Sequence, residues 1–150
     1  MRIAIASDHA ALALKSSLVE HLQASGHHVS DLGPFDDNSV DYPDYGFKLA
    51  NAVAIGAADR GVALCGSGIG ISIAVNRNPA ARAALVSEPL SAKLAREHND
   101  ANVIAMGARL TGIDMAKACV DTFLSTEFSG GRHSGRVGKL SNPIFSKESV

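Results

Sequence analysis

Gly61-Val62-Ala63-Leu64-Cys65-Gly66-Ser67-Gly68-Ile69-Gly70 carries the chain from an apolar run into a glycine-spaced turn. A continuous apolar run of this length suits a strand buried on both faces of a parallel sheet. The spaced glycines and the helical pattern after them make a strand-turn-helix unit, the building block of α/β proteins. Runs of the same texture occur at 3–6, 28–32, 83–86 and 102–106. Amphipathic segments lie between them. Leu14, Leu18 and Leu22 recur every four residues, with Gly26 as a stop. Phe47, Leu49, Ala50, Val53 and Ala54 mark a second helix, and a third starts after Gly70. Ser87-Glu88-Pro89 opens a fourth, since proline suits a first turn. Ile113, Ala116, Val120, Phe123 and Leu124 stripe a fifth. The alternation predicts a three-layer α/β/α sandwich, Rossmann-like, around a parallel sheet of about five strands. The domain is expected over 1–128. Residues 129–150, entered through the basic, glycine-rich stretch 129–136, read as a C-terminal arm that packs on a partner subunit.

Composition narrows the function. The chain has 150 residues, 46% hydrophobic and 19% charged, enough for one well-packed domain. A net charge of −1 argues against a general nucleic-acid binder. With no Trp and 5% aromatics, a base-stacking platform is not expected either. Cys65 and Cys119 make no disulfide framework, and no CxxC or zinc-finger spacing occurs. The apolar start is cut off by Ser7-Asp8-His9, too early for a signal peptide or a membrane span. These features lead us to expect a soluble, cytoplasmic protein with reduced thiols and no membrane partner.

In open α/β sheets, ligands bind beyond the carboxyl ends of the strands. Ser7-Asp8-His9, the glycine loop after Cys65, Ser87-Glu88 and Gly107-Ala108-Arg109 all follow strands. The loop amides, next to a helix N-terminus, suit a phosphate or an enediolate. Rival readings of the loop are weaker. Its spacing is G-x-G-x-G rather than the dinucleotide-binding G-x-G-x-x-G, and it follows the third strand. No Gly-Lys-Ser/Thr follows, which excludes a P-loop, and Ser67 lacks the glycines of a nucleophile elbow.

A thiol at the position of Cys65 meets the amide dipoles that favour a thiolate, whereas Cys119 reads as core packing. His98, near the end of the fourth helix, is a titratable acid/base or a cap on helix carbonyls. His9 points to the loop edge. Arg109, Arg132 and Arg136 are natural phosphate clamps. Arg132 and Arg136 lie four apart and align if the arm is helical, from where they could reach a neighbouring subunit's site.

Together these residues resemble the ribose-5-phosphate isomerase B family, which also holds galactose-6-phosphate and allose-6-phosphate isomerases. The resemblance runs through Ser7-Asp8-His9, Asp41-Tyr42-Pro43, Cys65 to Asn76, Ser87-Glu88-Pro89, His98-Asn99-Asp100-Ala101-Asn102-Val103, and Gly130-Gly131-Arg132-His133 with Arg136. It implies an aldose–ketose isomerase without metal or other cofactor, working through a cis-enediolate. Cys65 falls at the family's general-base position. A branch with a carboxylate at the position of Ile71 is not matched. The amides of Gly66, Ser67, Gly68, Ile69 and Gly70 would hold the enediolate. His98 would open the sugar ring with Asp8 and Tyr42 nearby, and Asn99 would hold substrate oxygens. His9, Arg109, Arg132 and Arg136 would grip the phosphate, the last two across a dimer interface. Ribose 5-phosphate is the expected substrate. A four- or six-carbon sugar phosphate, or a non-catalytic sugar-phosphate-binding subunit, are the alternatives, and the apolar-studded basic arm leads us to expect a homodimer, or a tetramer of such dimers.

Overall fold

The computed structural model describes residues 1–144. The last six residues of the expected arm lie outside that range. Strands β1 (Arg2–Ser7), β2 (His28–Asp31), β3 (Arg60–Cys65), β4 (Ala83–Leu85) and β5 (Val103–Gly107) form one sheet in the order β2-β1-β3-β5-β4. Every neighbouring pair is parallel. Helices α1 (Leu12–Ala24), α2 (Tyr42–Ala54), α3 (Ile69–Val75), α4 (Pro89–Asn99) and α5 (Ile113–Ser125) connect or follow the strands, and α6 (Arg132–Ser141) ends the described chain. The strand order reverses direction between β1 and β3. A crevice opens at such a switch point, outside the carboxyl ends of the strands. Asp8 and Cys65 stand on its two sides.

Side chains alternate across the sheet, and the two faces differ in size. Ile3, Ile5, Val62, Leu64, Ile104 and Met106 face α1, α4 and α5, where Leu18, Leu22, Val120 and Phe123 complete a large apolar core. Ala4, Ala6, Ala63, Cys65, Val103 and Ala105 face the other way, with Leu49, Ile71 and Val75 packed over them. Small residues on that face let α2 and α3 lie close to the sheet. A fully buried Leu or Ile stabilises the fold by about 1.5–3 kcal/mol, so the first core carries most of the stability.

The short edge strand β4 is closed by a side chain. Asn76 Nδ2 donates to the Ala83 carbonyl at 2.9 Å, and the Ala83 N–H donates to Asn76 Oδ1 at 2.8 Å. The amide thus stands in for a further strand and blunts the edge.

The helices start earlier than the sequence periodicity predicts. α2 begins at Tyr42, with Pro43 in its first turn, and α3 at Ile69 rather than after Gly70. The arm is helical over Arg132–Ser141 despite Gly135 and Gly138, and no residue of that helix is buried. Ser129 N–H donates to the Glu97 carbonyl at 3.1 Å, which ties the base of the arm to α4 of its own chain. Among the described residues, no helix is long and apolar enough to cross a membrane.

Candidate active site

β3 ends at Cys65, 4% exposed on the face toward α2 and α3. The chain then turns through Gly66-Ser67-Gly68 into α3. Gly68 makes this turn possible. Its φ is +77°, and a Cβ there would stand 2.7 Å from the Met106 carbonyl carbon and 2.9 Å from the Gly107 nitrogen. In that position Gly68 N–H donates to Cys65 Sγ at 3.0 Å. The N–H groups of Gly66, Ser67 and Gly70 find no acceptor among the described residues, leaving them free for an anion. Ile69 N–H donates to Ser67 Oγ at 3.3 Å.

The walls come from neighbouring elements. Asp8, at the end of β1, is 8% exposed, and its Oδ1 accepts from the Ala10 N–H at 3.0 Å. His9 Nδ1 accepts from the Val40 N–H at 3.2 Å, so the neutral ring carries its proton on Nε2 and can donate it outward. Tyr42, first residue of α2, packs on Gly70, where an added Cβ would lie 2.5 Å from its ring. Arg109 follows β5, and its N–H donates to the Gly66 carbonyl at 3.0 Å. These groups enclose an open cleft of about 640 Å³, lined by Asp8, His9, Tyr42, Cys65, Gly66, Ser67, Ile69, Gly70 and Arg109. Gly68 lies beneath it. Ala10, Ile73 and Leu110 also line the cleft and carry no polar signal by which the sequence could single them out.

The remaining expected residues gather elsewhere. α4 runs back against the strand direction, so its last turn reaches the amino ends of the strands, next to the start of β5. Cys65 pairs with Gly107 at the opposite end of β5. The four steps from Val103 to Gly107 span roughly 13 Å at about 3.3 Å per residue. His98 and Asn99, both exposed, therefore stand a full strand length from Cys65, and Asp8 and Tyr42 are not beside His98 within one chain. The His98 ring stacks on His133 of α6, with centroids 4.5 Å apart and planes within 7°. Arg132 and Arg136, on the same helix, are exposed. Burial, together with the positive charges of His98, Arg132 and Arg136, pushes the His133 imidazole below its ordinary value. Asn99 lines a separate cavity of about 490 Å³ with Asn76, Arg82 and Leu140. One chain thus carries two separate polar groups: a thiol on an amide nest, and a histidine pair with two arginines.

The chain matches the ribose/galactose isomerase family over residues 3–140. It belongs to that family. Ribose-5-phosphate isomerase B of Escherichia coli (strain K12) is 46% identical over 136 residues, covering 91% of each chain. The ribose-5-phosphate isomerase B structure from Clostridium thermocellum has a TM-score of 0.93 and 49% identity, covering 94% of this chain and 95% of that one. The type B ribose 5-phosphate isomerase structure from Trypanosoma brucei has a TM-score of 0.92 and 41% identity, covering 95% and 98%. The parallel α/β sandwich is therefore the fold of the ribose/galactose isomerases. In this member of the family, His133, quoted above within the Gly130-Gly131-Arg132-His133 motif but given no role there, is the residue that meets His98. Its place four residues after Ser129 marks nothing until α6 is seen to lie on α4.

Proposed function

We propose that this protein interconverts ribose 5-phosphate and ribulose 5-phosphate. The observation that carries the proposal is a buried thiol held at a strand end over unpaired loop amides, in a cleft with a carboxylate, an imidazole and a guanidinium. The relatives named above act, by their names, on ribose 5-phosphate.

The chemistry follows from the groups present. With the sugar ring open, Cys65 as thiolate takes the proton from C2. The electron pair moves into the C1–C2 bond, and charge develops on the C1 oxygen. The free N–H groups of Gly66, Ser67 and Gly70 stabilise the cis-enediolate, the kind of preorganised contact worth about 3–4 kcal/mol for one donor. Cys65 then returns the proton to C1, the C1 oxygen gains a proton and the C2 hydroxyl loses one. The aldehyde becomes a hydroxymethyl group and C2 a ketone. Asp8 and Tyr42 flank the sugar oxygens, while His9 through Nε2–H and Arg109 bind phosphate.

His98, Asn99, Arg132 and Arg136 complete the site from a second copy of the chain. Opening the sugar ring needs an acid/base within hydrogen-bond reach, and His98 of the same chain is too far from Cys65 to serve. A two-fold dimer places each chain's α4–α6 group at the other chain's cleft, so both sites form at once. Exposed apolar residues supply the contact surface. Leu110 is 70% exposed, Leu90 62% and Leu140 58%. A ten-residue helix with two glycines does not persist without tertiary contacts, and the partner covers α6. The dimer, its cytoplasmic location and the residue roles are parts of the same proposal.

The test is ketose formation by the purified protein, with chelator present and four- to six-carbon sugar phosphates as competitors. Turnover of ribose 5-phosphate above the other sugars supports the reading. Turnover of another sugar phosphate alone replaces the substrate, and binding without turnover of any of them leaves a sugar-phosphate-binding subunit.

A further inference from the structure

We propose that Arg82 and Arg96, acting together through the Asp100 carboxylate, are positioning residues for His98 and Asn99; the inference rests on the reading that these two act on substrate. Asp100 ends α4 with φ +44° and is the one non-glycine with positive φ among the described residues. Glycine is the residue that adopts this conformation without strain, and it closes helices routinely. Here a carboxylate takes its place, and two guanidinium groups meet on it.

Arg96, 1% exposed, donates through Nη1 to Asp100 Oδ1 at 2.9 Å and to the Ala101 carbonyl, and through Nε to the Thr126 carbonyl at 3.2 Å. Arg82, from the chain entering β4, donates through Nη2 to Asp100 Oδ2 at 2.9 Å and through Nε to the Asp100 carbonyl at 3.0 Å. Both carboxylate oxygens and the backbone carbonyl of Asp100 are thus held, from α4 itself and from the sheet edge.

Burying a guanidinium costs desolvation that a glycine cap would avoid, so stability alone does not account for this arrangement. A fixed direction does. The clamp sets the last turn of α4, and that turn sets where His98 and Asn99 point. Both side chains are exposed, and among the described residues neither makes a hydrogen bond; the His133 ring stacks on His98 alone. Among the described residues, neither guanidinium hydrogen-bonds to Cys65, to its loop or to the His98 and Asn99 side chains, so both act through the turn.

The experiment is a double-mutant cycle on the purified full-length protein, reading kcat for ribose 5-phosphate and the melting temperature. The variants are Arg82→Met, Arg82→Lys, His98→Asn and the Arg82→Met/His98→Asn pair. Misplacement of a reacting group by about 1 Å costs up to ~100-fold, so Arg82→Met is expected to lower kcat at least ~10-fold. Arg82→Lys restores most of that loss. In the His98→Asn background, Arg82→Met lowers kcat by a clearly smaller factor, because one of the two groups it positions is gone and only Asn99 is left to misplace. The same factor in both backgrounds, or a lower melting temperature with kcat unchanged, overturns the proposal. Should Arg82→Met fail to fold, Asp100→Asn, which keeps the left-handed turn and weakens both ion pairs, takes its place in the cycle with the same criteria. Unchanged kcat in His98→Asn alone is a different result. It removes the role of His98, and the positioning role falls with it.

Discussion

The amide N–H of Gly68 points at the sulfur of Cys65 across 3.0 Å, so the loop that is to receive the enediolate also holds the base. Cys65→Ala removes the base and leaves the loop. A positioned proton-transfer group contributes about 10²–10⁴-fold, and kcat is expected to fall by that factor with the melting temperature near wild type. Gly68→Ala should do the reverse in part. A Cβ there collides with the Met106–Gly107 backbone, so the variant melts lower as well as losing turnover. Wild-type kcat in Cys65→Ala contradicts the assignment.

Arg136 is exposed on α6, one turn beyond Arg132. If it grips phosphate, Arg136→Ala removes a charge-assisted hydrogen bond worth about 1.5–3 kcal/mol. KM for ribose 5-phosphate rises accordingly, by ~10-fold or more, with a smaller effect on kcat. Initial-rate kinetics over a range of substrate concentrations check this, and an unchanged KM removes Arg136 from the site.

The His133 stack should make the arm sensitive to acid. The folded chain holds this imidazole below the ordinary value of 6.5, chiefly through burial and secondarily through the charges of His98, Arg132 and Arg136. The unfolded or undocked arm therefore binds a proton more readily. Docking is stable above about 6.5 and weakens as pH falls below it. Hydrogen-exchange protection factors across α6, which correct for the intrinsic pH dependence of exchange, should fall as pH drops below about 6.5. His133→Phe, which keeps an aromatic ring without a titrating group, should flatten that fall.

Asp59 gives a second pH dependence, also at the amino edge of the sheet, where β3 begins. Its hydrogen bonds from the Arg2 guanidinium and backbone hold the carboxyl down at about 2, against an ordinary 3.8. The group is depressed in the folded state, so its contribution is present above pH 3.8 and is lost as pH falls toward 2. Asp59→Asn should flatten the acid limb of the stability curve in that interval, read by denaturant unfolding at several pH values. An acid limb identical to wild type shows that the pair adds nothing in solution.

The parts of the fold legible in the sequence are those with both faces buried. The strands of Ile3, Val62 and Ile104 announce themselves as apolar runs because helices cover both sides. The first turn of α2 is hidden because Tyr42, Pro43 and Asp44 lie at the surface and break the apolar stripe that begins at Phe47. α6 is hidden for a related reason. It buries nothing within its own chain, so its helical spacing shows only in Arg132 and Arg136. The thiol, the glycine loop, Asp8, His9 and Arg109 were legible because they follow strands. The reach of Arg132 and Arg136 toward a neighbouring subunit also shows in the arm's spacing, but the distance of His98 from Cys65 does not, although its cause is elementary. A helix after a strand returns antiparallel, so His98 at the end of α4 lies at the far edge from Cys65. Residues such as Arg82 and Arg96 give no local signal, since what matters is that they meet on Asp100.

The central claim is that one active site draws Cys65 from one chain and His98 from another. Co-expression of the Cys65→Ala and His98→Asn variants tests it directly. Random pairing makes half of the dimers mixed, and each mixed dimer has one site with both groups intact and one with neither. The account predicts that the mixture regains about a quarter of the wild-type rate, although each variant alone is nearly inactive. A mixture that is a dimer by light scattering yet no more active than the two variants apart would contradict it.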